Sequence, residues 1–406
     1  MTPRHLYLIA TSTWFMAFGM QSVVFAWLVT IVLHEPAQLV GWAQTVMLLP
    51  GMLFILFAGA LADRIGPDRQ ALWAQGFAVF TPWILIAGIQ LGLLSYAAML
   101  FYAVLMGCAQ AFVTPARDGL LNHVAQNNVQ RTVLLVSVCQ FGFQIIGYAI
   151  AGFADSIGAE PVLIVQSVVL LVGVIAYRQI RIRGFVQPHP HAAASMLQGV
   201  LEGAKTVFAS PVMRVVVMQN VAMASFFMGC FIVCFPLVVR EVFDGTSANL
   251  ATLNGINSAG LVLTIFVMLR VGYVRRAGRA LLVFQGLGAV ALGISGMVGS
   301  FTHFALLVFV WGLCGGVAMP MSRTLMQELA PPAQRARVMS FYAFSFMGAG
   351  PFGTLFCGYL SELYGPQIAI QISAALMLAV VVVMSLVSKL WQAKFEPFAE
   401  VQEASA

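Results

Sequence analysis

The sequence predicts an all-α polytopic membrane protein with twelve transmembrane helices in two pseudo-symmetric six-helix halves. Three observations predict it. First, 61% of the 406 residues are hydrophobic and 8% are charged, with a mean hydropathy of +0.93. A soluble domain carries about 25% charge, and a soluble chain of this length has too little interior to hide so much apolar surface. Second, the apolar runs are continuous and about twenty residues long, enough to cross a bilayer as a helix, and lack the shorter alternating pattern of a lipid-spanning barrel. Third, a charged joint at Arg64 recurs at Arg270, 206 residues later.

That joint, G-A-L-A-D-R-I-G-P-D-R over residues 59–69, lies between the apolar runs 39–62 and 71–91. It reads as a short cytoplasmic connection between two spans. The predicted spans in order are 6–32, 39–62, 71–91, 95–116, 133–154, 161–178, 212–238, 249–269, 280–299, 302–322, 338–360 and 364–388. The start M-T-P-R-H runs into a long apolar stretch without a small-residue cleavage site, so it reads as a first span and not a cleaved signal.

Basic residues set the orientation. Of the 20 lysines and arginines, all but Arg240 fall on or beside one face. The opposite loops carry Glu35, Asp155, Glu160, Glu241, Asp244 and Glu362. The positive-inside rule puts both termini in the cytoplasm. The net charge of +6 then serves anionic lipid headgroups at the cytoplasmic loops and implies no nucleic-acid partner.

The longest polar connection, 180–210, carries R-I-R and Q-P-H-P-H. Its second part has helical apolar spacing and predicts a short amphipathic helix at the cytoplasmic surface. The domain reading is an N-terminal half at 1–179, this linker, a C-terminal half at 211–390 and a tail at 391–406. The 206-residue shift also carries Gly66 and Arg69 onto Gly272 and Arg275, and Arg117 and Arg131 onto Arg323 and Arg337. Gly142, Gly147 and Gly152 fall on Gly348, Gly353 and Gly358. Such parallel halves pack around a cavity near mid-membrane. The glycines either allow close helix packing or let backbones slide.

The candidate gate is Gly59, Asp63, Arg64, Gly66 and Arg69 with Arg117 and Asp118 of span four. Charge at a membrane edge is costly unless paired. Asp63 can face the amide donors of another helix N-terminus, and Arg64 can pair with an acid, Asp118 being the nearest by topology. The alternative is solvated charge that only fixes topology. The second copy has Leu269 where Asp63 stands, which predicts a weaker gate there.

No ionisable residue sits at the centre of a span. Proton coupling would therefore fall to Asp63 or Asp118, with Arg117, His123 and Glu328 as further edge groups. The polar groups able to line a cavity are neutral: Gln21, Gln44, Gln140, Gln144, Tyr148, Asn220, Asn254, Asn257, Tyr342 and Ser345. Trp14, Phe18 and Phe227 add an aromatic wall, with Phe141, Phe226 and Phe231. Interhelical packing is the competing role for each. As a pocket, the set suits a large, mostly apolar molecule and lacks a charged clamp.

Other chemistry finds no support. The six cysteines lie in apolar runs without zinc-like spacing; Cys230 and Cys234 share a face but lack a histidine or acid partner. His189 and His191 in a Pro-rich linker read as solvated. No phosphate-binding loop occurs, and no nucleophile–histidine–acid set points to an enzyme. No metal or cofactor is expected.

The segment at 59–69 resembles the loop 2–3 signature of the major facilitator superfamily, with Pro67 where that family usually has a basic residue. Residues 197–211, L-Q-G-V-L-E-G-A-K-T-V-F-A-S-P, and P-A-Q-R-A-R-V-M-S-F-Y-A-F with the spaced glycines that follow, resemble its bacterial enterobactin and macrolide exporters. The resemblance implies that Asp63 meets the start of span eleven near Val338 and that Arg64 meets Asp118. It further implies secondary efflux by alternating access with protons as the coupling ion, without fixing the cargo; the neutral polar set points to a hydrophobic or amphiphilic small molecule, and the carrier is expected to be a monomer. Lysophospholipid movement, metabolite uptake and a non-transporting receptor or scaffold are the competing functions.

Overall fold

The computed structural model describes residues 2–125, 129–182, 196–271, 274, 276–331 and 334–392. Among these, all regular structure is helical, the solution demanded where no water satisfies a bare backbone group. Among the described residues, eleven helices are long and apolar enough to cross a membrane. The predicted run 338–360 falls in a further helix, Arg335–Tyr364, of 30 residues. Its length suffices to span, while its glycines, serines and Pro351 dilute its apolarity.

The helices overrun several predicted spans. Ala37–Ile65, Tyr96–Ala125 and Phe301–Leu329 each extend beyond the apolar stretch. The expected charged turn at 59–69 is therefore corrected. Asp63 and Arg64 close the second helix, and Asp68 and Arg69 open the third, Pro67–Gln90. Gly66 alone separates them, at φ 94°. Glycine occupies that conformation without steric cost, and Pro67 starts a helix where its missing N–H costs nothing. Gly365 (φ 82°) and Pro366 repeat the device between spans eleven and twelve.

The chain divides into two compact units. The first comprises Met1–Met196 with Phe235–Gly255, and the second Leu197–Cys234 with Ile256–Ala406. In the first, span one packs on spans five and six, and span three packs on spans four and six. In the second, span seven packs on span eleven, and span nine packs on spans ten and twelve. One–five and seven–eleven, three–six and nine–twelve, three–four and nine–ten are equivalent pairs under the sequence repeat.

Small side chains bring the helices of the first unit together. Ala10, Ala71, Ala116 and Ala176 surround Tyr7 and Tyr177 with Leu6, Leu120 and Ile180. Between helices in lipid, close packing replaces the hydrophobic drive.

The expected linker helix is present as Met196–Ala209. It seats on the start of helix Arg335–Tyr364. Glu202 pairs with Arg337, Thr206 donates to Gln334, and Phe208 meets the Phe341 ring edge-on at 5.9 Å. His189 and His191 lie outside the described residues.

Candidate gate and cavity residues

Gly59 is buried at the end of the second helix, and Arg64 and Arg69 are exposed. The side chains of Asp63, His123 and Arg131 lie outside the described residues, and so does the expected meeting of Asp63 with span eleven. Asp118 is exposed, and its ion pair is with its own neighbour Arg117, 3.6 Å away. Among the described residues no Arg64–Asp118 pair forms, which departs from the expected contact.

Arg117 is buried inside span four. Its guanidinium lies 4.6 Å from the centre of the Phe15 ring, an attraction worth about 0.5–2 kcal/mol. Tyr7 donates to the Arg117 carbonyl at 3.1 Å. One guanidinium nitrogen, Nη1, has no hydrogen-bond partner among the described residues. Asp68, which the sequence reading passed over, is also buried, and a Cβ at Gly66 would stand 2.8 Å from its Oδ1.

The neutral polar residues separate into two sets by what they touch. Asn220 is buried, and its Nδ2 donates to the Tyr342 carbonyl (3.1 Å) and to Ser345 Oγ (3.0 Å). Tyr342 in turn donates to Ser322 Oγ at 2.9 Å. These residues tie spans seven, ten and eleven. Asn254 donates to Leu250 on its own helix at 2.8 Å, and the Asn257 backbone receives Gly312 of span ten in close contact. These groups are engaged in packing. Gln140 and Gln144, by contrast, stay half-buried on span five; Gln144 donates to Tyr148 Oη at 2.6 Å. Gln21 is buried and donates to Met47 Sδ at 3.0 Å, and Gln44 and Trp14 are buried while Phe18 is half-buried.

Phe227 meets Trp311 edge-on at 5.7 Å, and Phe231 lies 5.8 Å from the same ring. Trp311 was missing from the expected wall, because only the fold brings span ten to span seven there. Span seven winds as a π-helix over Met223–Met228 and Cys230–Cys234, a feature associated with functional sites and invisible in composition. Gln219, also unexpected, is fully buried, with neither amide atom partnered among the described residues. A groove of about 400 Å³ runs beside spans eight, nine and ten, lined by Leu263, Val267, Phe284, Leu313 and Val317. It shares no residue with the predicted lining.

Arg240, the lone basic residue of its face, has a defined job. Its Nη1 donates to the carbonyls of Thr30 (3.1 Å) and Glu35 (2.6 Å), and its Nη2 reaches Glu241 at 2.5 Å. Span one ends in a π-turn, Leu28–Val32, and the guanidinium caps carbonyls there. Nearby in sequence, Ser247 Oγ donates to the Gly152 carbonyl and accepts from the Asp155 amide, both at 2.9 Å. The Arg240 bonds are charge-assisted and contribute about 1.5–3 kcal/mol, more than the neutral Ser247 bonds. Arg240→Ala is expected to raise the labelling rate of a Ser247→Cys thiol by roughly tenfold; an unchanged rate would show that the clamp does not hold this end together.

The Major Facilitator Superfamily model matches residues 7–342 and, separately, 220–399. Curated relatives include the multidrug efflux pump Tap of Mycobacterium tuberculosis, 24% identical over 386 residues, 89% of this chain and 88% of the relative. The Mycolicibacterium fortuitum Tap pump is also 24% identical, over 391 residues, 89% of this chain and 90% of its own. Solved structures with the same fold include the POT family transporter PepTSo (TM-score 0.77, 11% identity, 96% of this chain and 98% of that one). The nucleoside transporter NupG superposes with a TM-score of 0.74 at 11% identity, over 97% of this chain and 100% of its own.

Proposed function

Because the chain belongs to the Major Facilitator Superfamily, we propose that it exports a hydrophobic or amphiphilic small molecule across a bacterial inner membrane, in exchange for protons, by alternating access. The family makes it a transporter and not an enzyme. The observation that carries the cargo class is the aromatic cluster of Phe227, Phe231 and Trp311 on a chain whose mid-span polar groups are neutral. Aromatic faces bind apolar cargo of varied shape, and no fixed charge selects an anion or a sugar phosphate. Similarity to multidrug efflux pumps over 89% of the chain supports the same reading.

In this mechanism both termini lie in the cytoplasm, where the basic loops rest on anionic lipid. The 59–69 joint with Arg117 and Asp118 is the cytoplasmic gate, and the Arg240 clamp acts at the opposite ends of its spans. Asp63 and Asp118 are the carboxylates positioned to exchange protons with the cytoplasm. The half-buried Gln140 and Gln144, with the buried Tyr148 behind them, present one polar face of span five to cargo. A single chain carries the full set.

The reading is tested by accumulation in cells stripped of their own exporters. The panel holds lipophilic drugs, catecholate siderophores and labelled lysophospholipid, each measured with and without a protonophore. Lower accumulation of an apolar member, abolished by the protonophore, is the expected result. Gln144→Ala should then shift the order of preference among cargoes while leaving the protein monodisperse. No change for any member, or increased uptake, would overturn export of this cargo class.

A further inference from the structure

The second unit holds three buried thiols in one cluster. Cys230 and Cys234 lie in the π-wound segment of span seven, and Cys357 lies on helix Arg335–Tyr364. All three are fully buried. Their sulfurs lie within 4.8 Å of one another, and Cys230 Sγ is 3.9 Å from Cys357 Sγ. Ser361 Oγ stands 3.6 Å from Cys234 Sγ, and Ser373 Oγ 3.7 Å from Cys357 Sγ. Gly229 creates the room: a Cβ there would stand 2.9 Å from Cys357 Sγ and 2.6 Å from the Gly353 carbonyl oxygen.

We propose that Cys230, Cys234 and Cys357 form a binding site for one thiophilic d10 cation of the zinc, cadmium or mercury class. Metal–sulfur bonds of about 2.3 Å in a trigonal plane hold sulfurs about 4 Å apart, which the cluster already approaches. The Ser361 and Ser373 hydroxyls stand where they can donate hydrogen bonds to the Cys234 and Cys357 sulfurs once these are ionised. Among the described residues no carboxylate or imidazole belongs to the cluster, so hard ions such as Mg(II) and Ca(II) find no suitable ligand there.

Burial dictates the protonation. A net charge in this low-dielectric site is costly. A divalent ion therefore displaces protons from two thiols, keeps the third as a neutral donor, and leaves a complex with no net charge. The displaced protons leave to solvent, and no oxidant is needed. The occupied site bonds span seven directly to span eleven. The site is independent of the export reading.

The test uses the full chain, purified reduced in detergent, exposed to Cd(II) and freed of excess ion by gel filtration. About one Cd(II) per chain should remain bound, with about two protons released per ion, and excess Mg(II) or Ca(II) should not displace it. Cys230→Ser with Cys357→Ser should lower retention at least roughly tenfold. Replacing Cys108, Cys139 and Cys314 together should leave retention intact. If the cluster variant is not monodisperse, Cd(II) protection of the cluster thiols from alkylation in the wild type gives the answer instead. No retained ion, equal retention in a monodisperse cluster variant, or alkylation unaffected by Cd(II) would overturn the site. So would a Cys230–Cys357 disulfide in the intact protein mass, which would make the pair an oxidisable dithiol.

Discussion

Gly147→Val is expected to destroy most of the folded, monodisperse protein and to lower its thermal transition sharply. A β-carbon at 147 would land on the Met16 carbonyl and stand 3.0 Å from the Met20 nitrogen. Gly19 of span one makes the reciprocal approach to the Gln144 carbonyl. The two spans thus meet backbone to backbone, and a backbone oxygen cannot rotate away as a side chain can. Overpacking costs about 1–3 kcal/mol even where side chains yield, and here separating the helices also forfeits the dispersion contacts that hold them in lipid. Gly142→Ala is the control, because nothing lies within 4 Å of its added carbon. Size-exclusion profiles after graded heating would read both variants. A Gly147→Val profile matching the wild type would show that span five moves aside without penalty.

Asp63→Asn should reduce flux by about tenfold or more while insertion and thermal stability stay near wild type. The substitution keeps shape and removes charge. Asp63 closes the second helix three residues before the Gly66 break, and the family resemblance places it opposite a helix N-terminus. An anion in that position is favoured by about 0.3–1 kcal/mol, and by about 2 kcal/mol when partly buried. A loss near 1.4 kcal/mol in one conformation changes its population about tenfold. The response to a protonophore separates two roles. A gate alone leaves the residual flux dependent on the proton gradient, whereas a proton carrier leaves it indifferent to a protonophore. Wild-type flux in the variant would remove Asp63 from both.

Much of the fold is legible in the chain because the bilayer imposes a local rule. Each span must be apolar over its own length and must bond its own backbone, so runs such as 6–32 and 364–388 reveal the helices Pro3–Val32 and Pro366–Val387 directly. The repeat was readable for a similar reason: Arg64, Gly66 and Arg69 recur at a fixed offset without a gap. The helix ends were less legible. Helices such as Ala37–Ile65 continue into polar residues at the membrane edge, where hydropathy stops before the hydrogen bonding does.

The candidate site was legible only in residue type. Composition required the mid-span polar groups to be amides and hydroxyls, but could not divide them by task. Tertiary structure assigned Asn220 to Tyr342 and Ser345, brought Trp311 to Phe227, set the Arg117 guanidinium over Phe15 and carried Cys357 to Cys230, 127 residues away in sequence. The sequence by itself determined that the chain crosses a membrane repeatedly as helices in two related sets, because solvation acts on each segment separately. Only the tertiary structure decided which faces meet, because in lipid that choice rests on the fit of small residues and hydrogen-bonding groups from distant segments, and an apolar pattern carries no record of it.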